Sequence, residues 1–112
     1  MAKVSMIQGE CKAIQIMVRL GLTRVEAKAY LALASFGRAD VKTISEASGV
    51  SRRGVYRVMP GLMELGLAEE VIVKPIVYRA VSLAEGCRLL LDREEQKIIE
   101  LQRRVARLKK FL

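Results

Sequence analysis

The chain has no histidine and only two cysteines among its 112 residues. Those absences exclude a good deal of chemistry. Without histidine there is no Ser–His or Cys–His pair to activate a nucleophile and no imidazole for acid–base work. Cys11 and Cys87 are far apart, and neither sits in a Cys-x-x-Cys spacing, so the usual zinc sets are excluded too. Each cysteine falls in an apolar register (Ile7, Ile14 and Val18 for the first), which predicts buried thiols; an interchain disulfide at Cys87 is the minor alternative. No apolar run approaches the roughly 20 residues that span a bilayer, and no signal peptide is visible. Nor is there a nucleotide-binding glycine loop. These absences predict a soluble cytoplasmic protein, associated with the nucleoid if it binds DNA, that needs no cofactor or metal, does not touch membranes and is not an enzyme.

The chain is rich in apolar residues and positive charge. An apolar fraction of 52% excludes a wholly disordered chain, and the length suits one core that folds without staples. A net charge of +8 favours a polyanionic partner, with a merely soluble basic surface as the alternative.

The apolar periodicity predicts mainly helix. Val4, Ile7, Cys11, Ile14 and Val18 recur at three- and four-residue steps, which predicts an N-terminal helix over 4–20 that ends at Gly21. Thr23 and Glu26 form a capping box for a second helix, with Val25, Ala29, Leu33 and Phe36 as its apolar stripe and Gly37 as its end. Asp40 can cap a third helix whose inward residues are Val41, Ile44 and Ala47. Ser48-Gly49 then turns the chain, and Ser51 caps a fourth helix.

That fourth helix carries the functional signal. Val55, Val58, Met59 and Leu62 share one face, while Arg52, Arg53, Tyr56 and Arg57 share the other through i, i+4 spacings. Residues 51–57 hold three arginines and no acid. A short helix, a glycine turn and a basic helix start make the arrangement with which a helix-turn-helix enters the major groove. Pro60 loses the bond to the Tyr56 carbonyl and is expected to kink or break the helix beyond this patch.

After Gly66, Leu67–Val73 and Ile76–Val81 are short and β-branched with Lys74-Pro75 between them, a β-hairpin that would serve as the wing. Ser82 and Glu85 form a second capping box for a helix reaching the C-terminus. Its heptads place Ala84, Leu91, Ile98, Val105 and Leu112 at one seam position and Cys87, Glu94, Leu101 and Leu108 at the other, with Glu94 as a flaw. Leu91, Ile98, Leu101, Val105, Leu108 and Leu112 are therefore the expected dimerisation residues. The acids of this helix precede its bases, which leans toward antiparallel or offset pairing; the competing expectation is that the helix folds back on its own domain. The division predicted is 1–81 for a winged helix-turn-helix and 82–112 for a coiled-coil-like helix.

Leu22-Thr23, Glu26-Ala27, Tyr30-Leu31, Gly37, Ile44, Ser48-Gly49-Val50, Val55-Tyr56, Leu62, Gly66-Leu67 and Pro75…Tyr78-Arg79-Ala80 resemble the DNA-binding domain of TrmB-type archaeal regulators over roughly residues 20–92. The resemblance implies a winged helix-turn-helix that binds promoter DNA as a dimer. Full-length members also carry a C-terminal sugar-binding domain, which does not follow the last helix of this sequence, so sugar sensing is not carried over and any small-molecule effector stays unknown. Ile76-Val77 also stand where the family often has basic or polar residues.

On this reading Arg52 and Arg53 contact base edges, since arginine pairs bidentately with guanine. Ser51 is a cap that can also meet phosphate, Tyr56 contacts phosphate or shields the helix, and Arg57 contacts phosphate. Lys42 and Thr43 fix register on the backbone. Lys74 touches phosphate from the wing, while Arg79 either does likewise or pairs with Glu69 or Glu70. The expected function is a homodimeric, sequence-specific regulator binding double-stranded DNA. An architectural chromatin-type protein and a protein-interaction adaptor are the alternatives.

Overall fold

The computed structural model describes residues 11–111. Among the described residues the first helix runs from Lys12, with Cys11 extended before it; Val4 and Ile7, in the expected helix over 4–20, lie outside the described residues. This helix, α1 (Lys12–Arg19), buries Ile14 and Met17, and Gly21 turns the chain at φ 107.

The central helix is α2 (Arg24–Phe36). Both halves of its capping box form: the Glu26 N–H donates to Thr23 Oγ1 at 3.1 Å, and the Thr23 N–H donates to Glu26 Oε1 at 2.8 Å. Ala27, Ala29, Tyr30, Leu31, Ala32 and Leu33 are all buried, so α2 is enclosed on nearly every side. Three alanines in this run let α1, α3 and α4 approach closely. Val25 and Phe36, expected in the apolar stripe, are exposed because they lie at the helix ends, outside the layer formed by those neighbours.

A two-residue strand, β1 (Arg38–Ala39), follows Gly37. Then come α3 (Val41–Ser48), capped by Asp40, and α4 (Arg52–Glu64), capped by Ser51. Val41, Ile44 and Ala47 point inward as expected. Helix α4 does not break at Pro60. Val55, Met59 and Leu62, on both sides of the proline, are fully buried and hold the two halves to one core. Pro60 and Tyr56 face outward, where water can satisfy the freed carbonyl.

Gly66, at φ 80, leads into the hairpin β2 (Ala68–Val71) and β3 (Val77–Ala80). The strands are shorter than the sequence suggests, and residues 72–76 form the connecting loop instead of a two-residue turn. The sheet order is β1-β3-β2, antiparallel throughout, with β3 in the centre.

The last helix, α5 (Leu83–Lys109), has 27 residues and so measures about 40 Å. Only the cap half of its box forms: the Glu85 N–H donates to Ser82 Oγ, while the Glu85 carboxylate turns to Arg88. Its start is clamped. Tyr30 Oη donates toward the carbonyls of Val81 and Ser82, at 3.1 Å each, and a Cβ on Gly86 would overlap the Tyr30 hydroxyl. Burial pushes the Tyr30 phenol up to about 12. Leu90 completes the core; Cys87, like Cys11, is only half-buried. Beyond Leu90 the helix leaves the core and every residue from 95 to 111 is exposed.

Candidate nucleic-acid interface

The turn between α3 and α4 is fixed by side chains within a few residues of it. Gly49 is left-handed (φ 76, ψ 6), a conformation costly for other residues. Ser45 Oγ donates to the Val50 carbonyl at 2.6 Å, and the Val50 N–H donates to Ser48 Oγ at 3.1 Å. Ser51 Oγ accepts from the Gly54 N–H at 3.1 Å, so its acceptor role is taken up by capping. A Cβ on Gly54 would stand 2.7 Å from Val50 Cγ1 and 3.2 Å from Ser51 Oγ. Gly54 is thus the residue that lets α4 meet the turn closely, a role the sequence reading did not assign it.

Asp40 Oδ1 accepts from the Thr43 N–H at 2.8 Å, and that bond holds its carboxyl below the ordinary aspartate range. Thr43 is therefore tied to the cap and half-buried, while Lys42 beside it is exposed.

Arg52, Arg53, Tyr56 and Arg57 are all exposed, as their spacing predicts, and Tyr56 is 61% accessible. Lys42, Arg52 and Tyr56 come together along a groove of about 270 Å³, with Asp40, Val41, Tyr78 and the wing residues Pro75 and Ile76. Burial, with Glu70 and Tyr56 adding to it, raises the Tyr78 phenol. Ser51 and Arg57 border a second groove of about 690 Å³ between α4 and the start of α2. Lys74 is exposed in the wing loop.

Arg79 is not brought to this face. It is ion-paired with Glu69 on β2 and lines a separate cleft with Met63 and Gly66. Its other cross-strand neighbour is Arg38 on β1, a strand of two residues that is too short for an alternation pattern to reveal.

The candidate dimerisation residues Leu91, Ile98, Leu101, Val105 and Leu108 are all exposed, and Leu112 lies outside the described residues. Ile99 and Phe111 extend the apolar surface. Glu94, the apparent flaw in the seam, lies against the α1–α2 turn instead: a Cβ on Gly21 would meet its Oε1 at 2.8 Å, and its carboxylate pairs with Lys97 at 3.0 Å. Among the described residues no cluster of metal-ligating side chains occurs, and no helix is long and apolar enough to cross a membrane.

A capped α3, a left-handed glycine turn, a basic α4 start and an antiparallel hairpin beside it define a winged helix-turn-helix. A model of the family described as sugar-specific transcriptional regulator TrmB matches residues 17–84, and the chain belongs to this family. It is a DNA-binding, transcription-regulating family type. Among solved structures, the fold is similar to that of TrmBL2, an archaeal chromatin protein whose structure is described as showing a novel mode of DNA binding. The TM-score is 0.79 at 23% identity, over 88% of this chain and 40% of that one. The chain thus spans less than half the length of that protein. No curated protein matches the sequence.

Proposed function

We propose that this protein is a homodimeric transcriptional regulator that binds double-stranded DNA sequence-specifically, presenting the start of α4 to the major groove. The observation that carries this reading is the outward patch of Arg52, Arg53, Tyr56 and Arg57 on a helix start whose position the turn fixes. Arg52 and Arg53 read base edges; Arg57, Lys42 and the exposed Tyr56 meet phosphates. Ser51 caps α4 and can also meet a phosphate, while Thr43, its N–H donated to Asp40, helps Lys42 fix register on the DNA backbone. Lys74 is a minor phosphate contact, and Arg79 serves the sheet. The protein performs no catalysis and acts in the cytoplasm, at the nucleoid.

Residues 1–81 form the DNA-binding part, and residues 82–112 the dimerisation helix, whose first two turns also complete the core. A second copy covers the exposed stripe Ile98, Leu101, Val105 and Leu108. Glu85, Asp92, Glu94 and Glu100 already pair with bases of their own helix, so charge alone does not select parallel or antiparallel pairing.

The structural likeness to a chromatin protein favours one second reading, architectural binding with little sequence preference. Binding to the protein's own promoter and to a scrambled duplex of equal length, each across a salt series, separates the two. A promoter preference of about 10³ or more at physiological salt supports the regulator. Equal affinities with a steep salt slope support the architectural reading. Absence of binding to either duplex at moderate salt counts against both and favours an adaptor.

A further inference from the structure

The wing of this protein is built from the wrong residues for an electrostatic contact. Beyond the last strand pair, Val71 with Val77, the loop 72–76 reads Ile-Val-Lys-Pro-Ile. Ile72 is 87% exposed, and Val73 and Ile76 are each about half exposed. Lys74 is the loop's one cation. On the strands behind it, Arg79 is neutralised by Glu69, and Glu70 is an exposed carboxylate. Such a tip gains little from phosphates. Loops of this kind ordinarily carry Gly, Asn, Asp or Ser, and a cluster of exposed large aliphatic residues marks a contact surface.

The groove at the base of the wing indicates what the tip contacts. Pro75 and Ile76 share it with Lys42, Arg52 and Tyr56, so the wing tip is continuous with the face proposed for DNA. When the start of α4 occupies the major groove, an adjoining tip lies over the flanking minor groove. Isoleucine and proline are among the side chains that enter a minor groove as wedges, partly unstack a base step and kink the duplex. The step most easily opened is a flexible pyrimidine–purine step.

We propose that the wing tip, led by Ile72 and Ile76, is an apolar wedge that enters the minor groove beside the recognition helix and bends the DNA. This rests on the DNA-binding reading above. It adds a shape-reading element to the arginine contacts: sites would be selected partly by how readily one flanking step unstacks.

The test uses the full chain on a linear duplex of several hundred base pairs containing its own promoter. Filter binding across a salt series and imaging of individual complexes by atomic force microscopy are done on the same samples. The unsubstituted protein is expected to bend DNA by tens of degrees at each bound site. Ile72→Ser/Ile76→Ser should leave the complexes nearly straight, lower affinity less than tenfold and keep the salt slope. Ile72→Leu/Ile76→Leu should restore the bend. Both positions lie outside the strand ladder, and a thermal melt confirms that each variant is folded. Straight complexes with the unsubstituted protein, or an unchanged bend with the serine variant, overturn the wedge while leaving DNA binding intact. If filter binding detects no complex at all, the DNA-binding reading fails and the wedge with it.

Discussion

Leu90 and Leu91 are neighbours on one helix, yet Leu90 is buried and Leu91 is half exposed. They mark the boundary between two regions of the molecule. Up to Leu90 the chain builds the core, with apolar exposure confined to the wing loop and scattered outer positions such as Ile16, Val25 and Phe36, and four helix starts are fixed: Thr23, Asp40, Ser51 and Ser82 all cap, and Tyr30 clamps the entry to α5. From Leu91 onward the same residue types are solvent-facing, and the helix is held internally by exposed ion pairs such as Arg88–Asp92 and Arg104–Glu100, each worth little. Apolar content alone therefore does not decide burial. The anchored region spends its apolar residues on the core, whereas the bare one leaves its apolar surface facing solvent.

Perturbations should consequently cost folding in the first region and association in the second. The largest expected effect is Gly86→Val, which drives a branched side chain into Tyr30 and to within a few ångströms of Leu67 Cδ2. A loss of about 3–4 kcal/mol in urea unfolding is expected. An unchanged midpoint would show that the clamp is loose and the two regions are not distinct. Next is the alkaline limb. A phenol whose folded value stands at about 12, against an ordinary 10, favours the folded state while it is neutral. That contribution is complete below pH 10 and disappears as pH rises from 10 to 12, on the order of 2–3 kcal/mol. Tyr30→Phe should be less stable at neutral pH and lose this part of the alkaline decline, read as the difference between the two unfolding profiles.

Much of the anchored region is legible in the sequence because it is specified locally. Thr23 with Glu26, Asp40, Gly49 and Ser51 act within three residues, and their types state their roles. The patch Arg52–Tyr56 and Arg53–Arg57 follows from helical spacing alone. What escapes is whatever depends on distant neighbours. Gly54 and Gly86 carry no recognisable signal in the sequence, because what requires glycine there is the close approach of Val50 and Tyr30. Glu94 reads as a seam defect until the Gly21 turn is found next to it. Pro60 reads as a break because the three buried side chains bracketing it outweigh a single lost hydrogen bond only in the packed molecule. The two-residue β1 exists only because β3 pairs with it.

In the bare region, Leu101→Lys/Leu108→Lys should weaken dimerisation by about 100-fold, near 3 kcal/mol, measured by sedimentation equilibrium. The unfolding midpoint of dilute protein should hardly move, because neither side chain touches the core. If the double variant unfolds outright, these leucines have an intramolecular role and the proposed boundary at Leu90 is misplaced. If it sediments as the unsubstituted protein does, the seam lies elsewhere.

The smallest effect tests whether the anchored region's caps act through charge. Asp40→Ala removes the acceptor for the Thr43 N–H and should cost about 1 kcal/mol. Asn caps nearly as well as Asp but does not titrate, so Asp40→Asn should retain most of that stability at neutral pH. The Asp40 carboxyl is held below its ordinary value in the folded chain, chiefly by the bond from the Thr43 backbone N–H. Its stabilisation is therefore present above the unfolded carboxyl's range near pH 4 and lost as pH falls through the lower folded value. Between neutral pH and pH 3 the unsubstituted protein should lose slightly more stability than Asp40→Asn. Parallel acid limbs would mean that the hydrogen-bond acceptor alone, not its charge, secures α3 and through it the turn that positions Arg52 and Arg53.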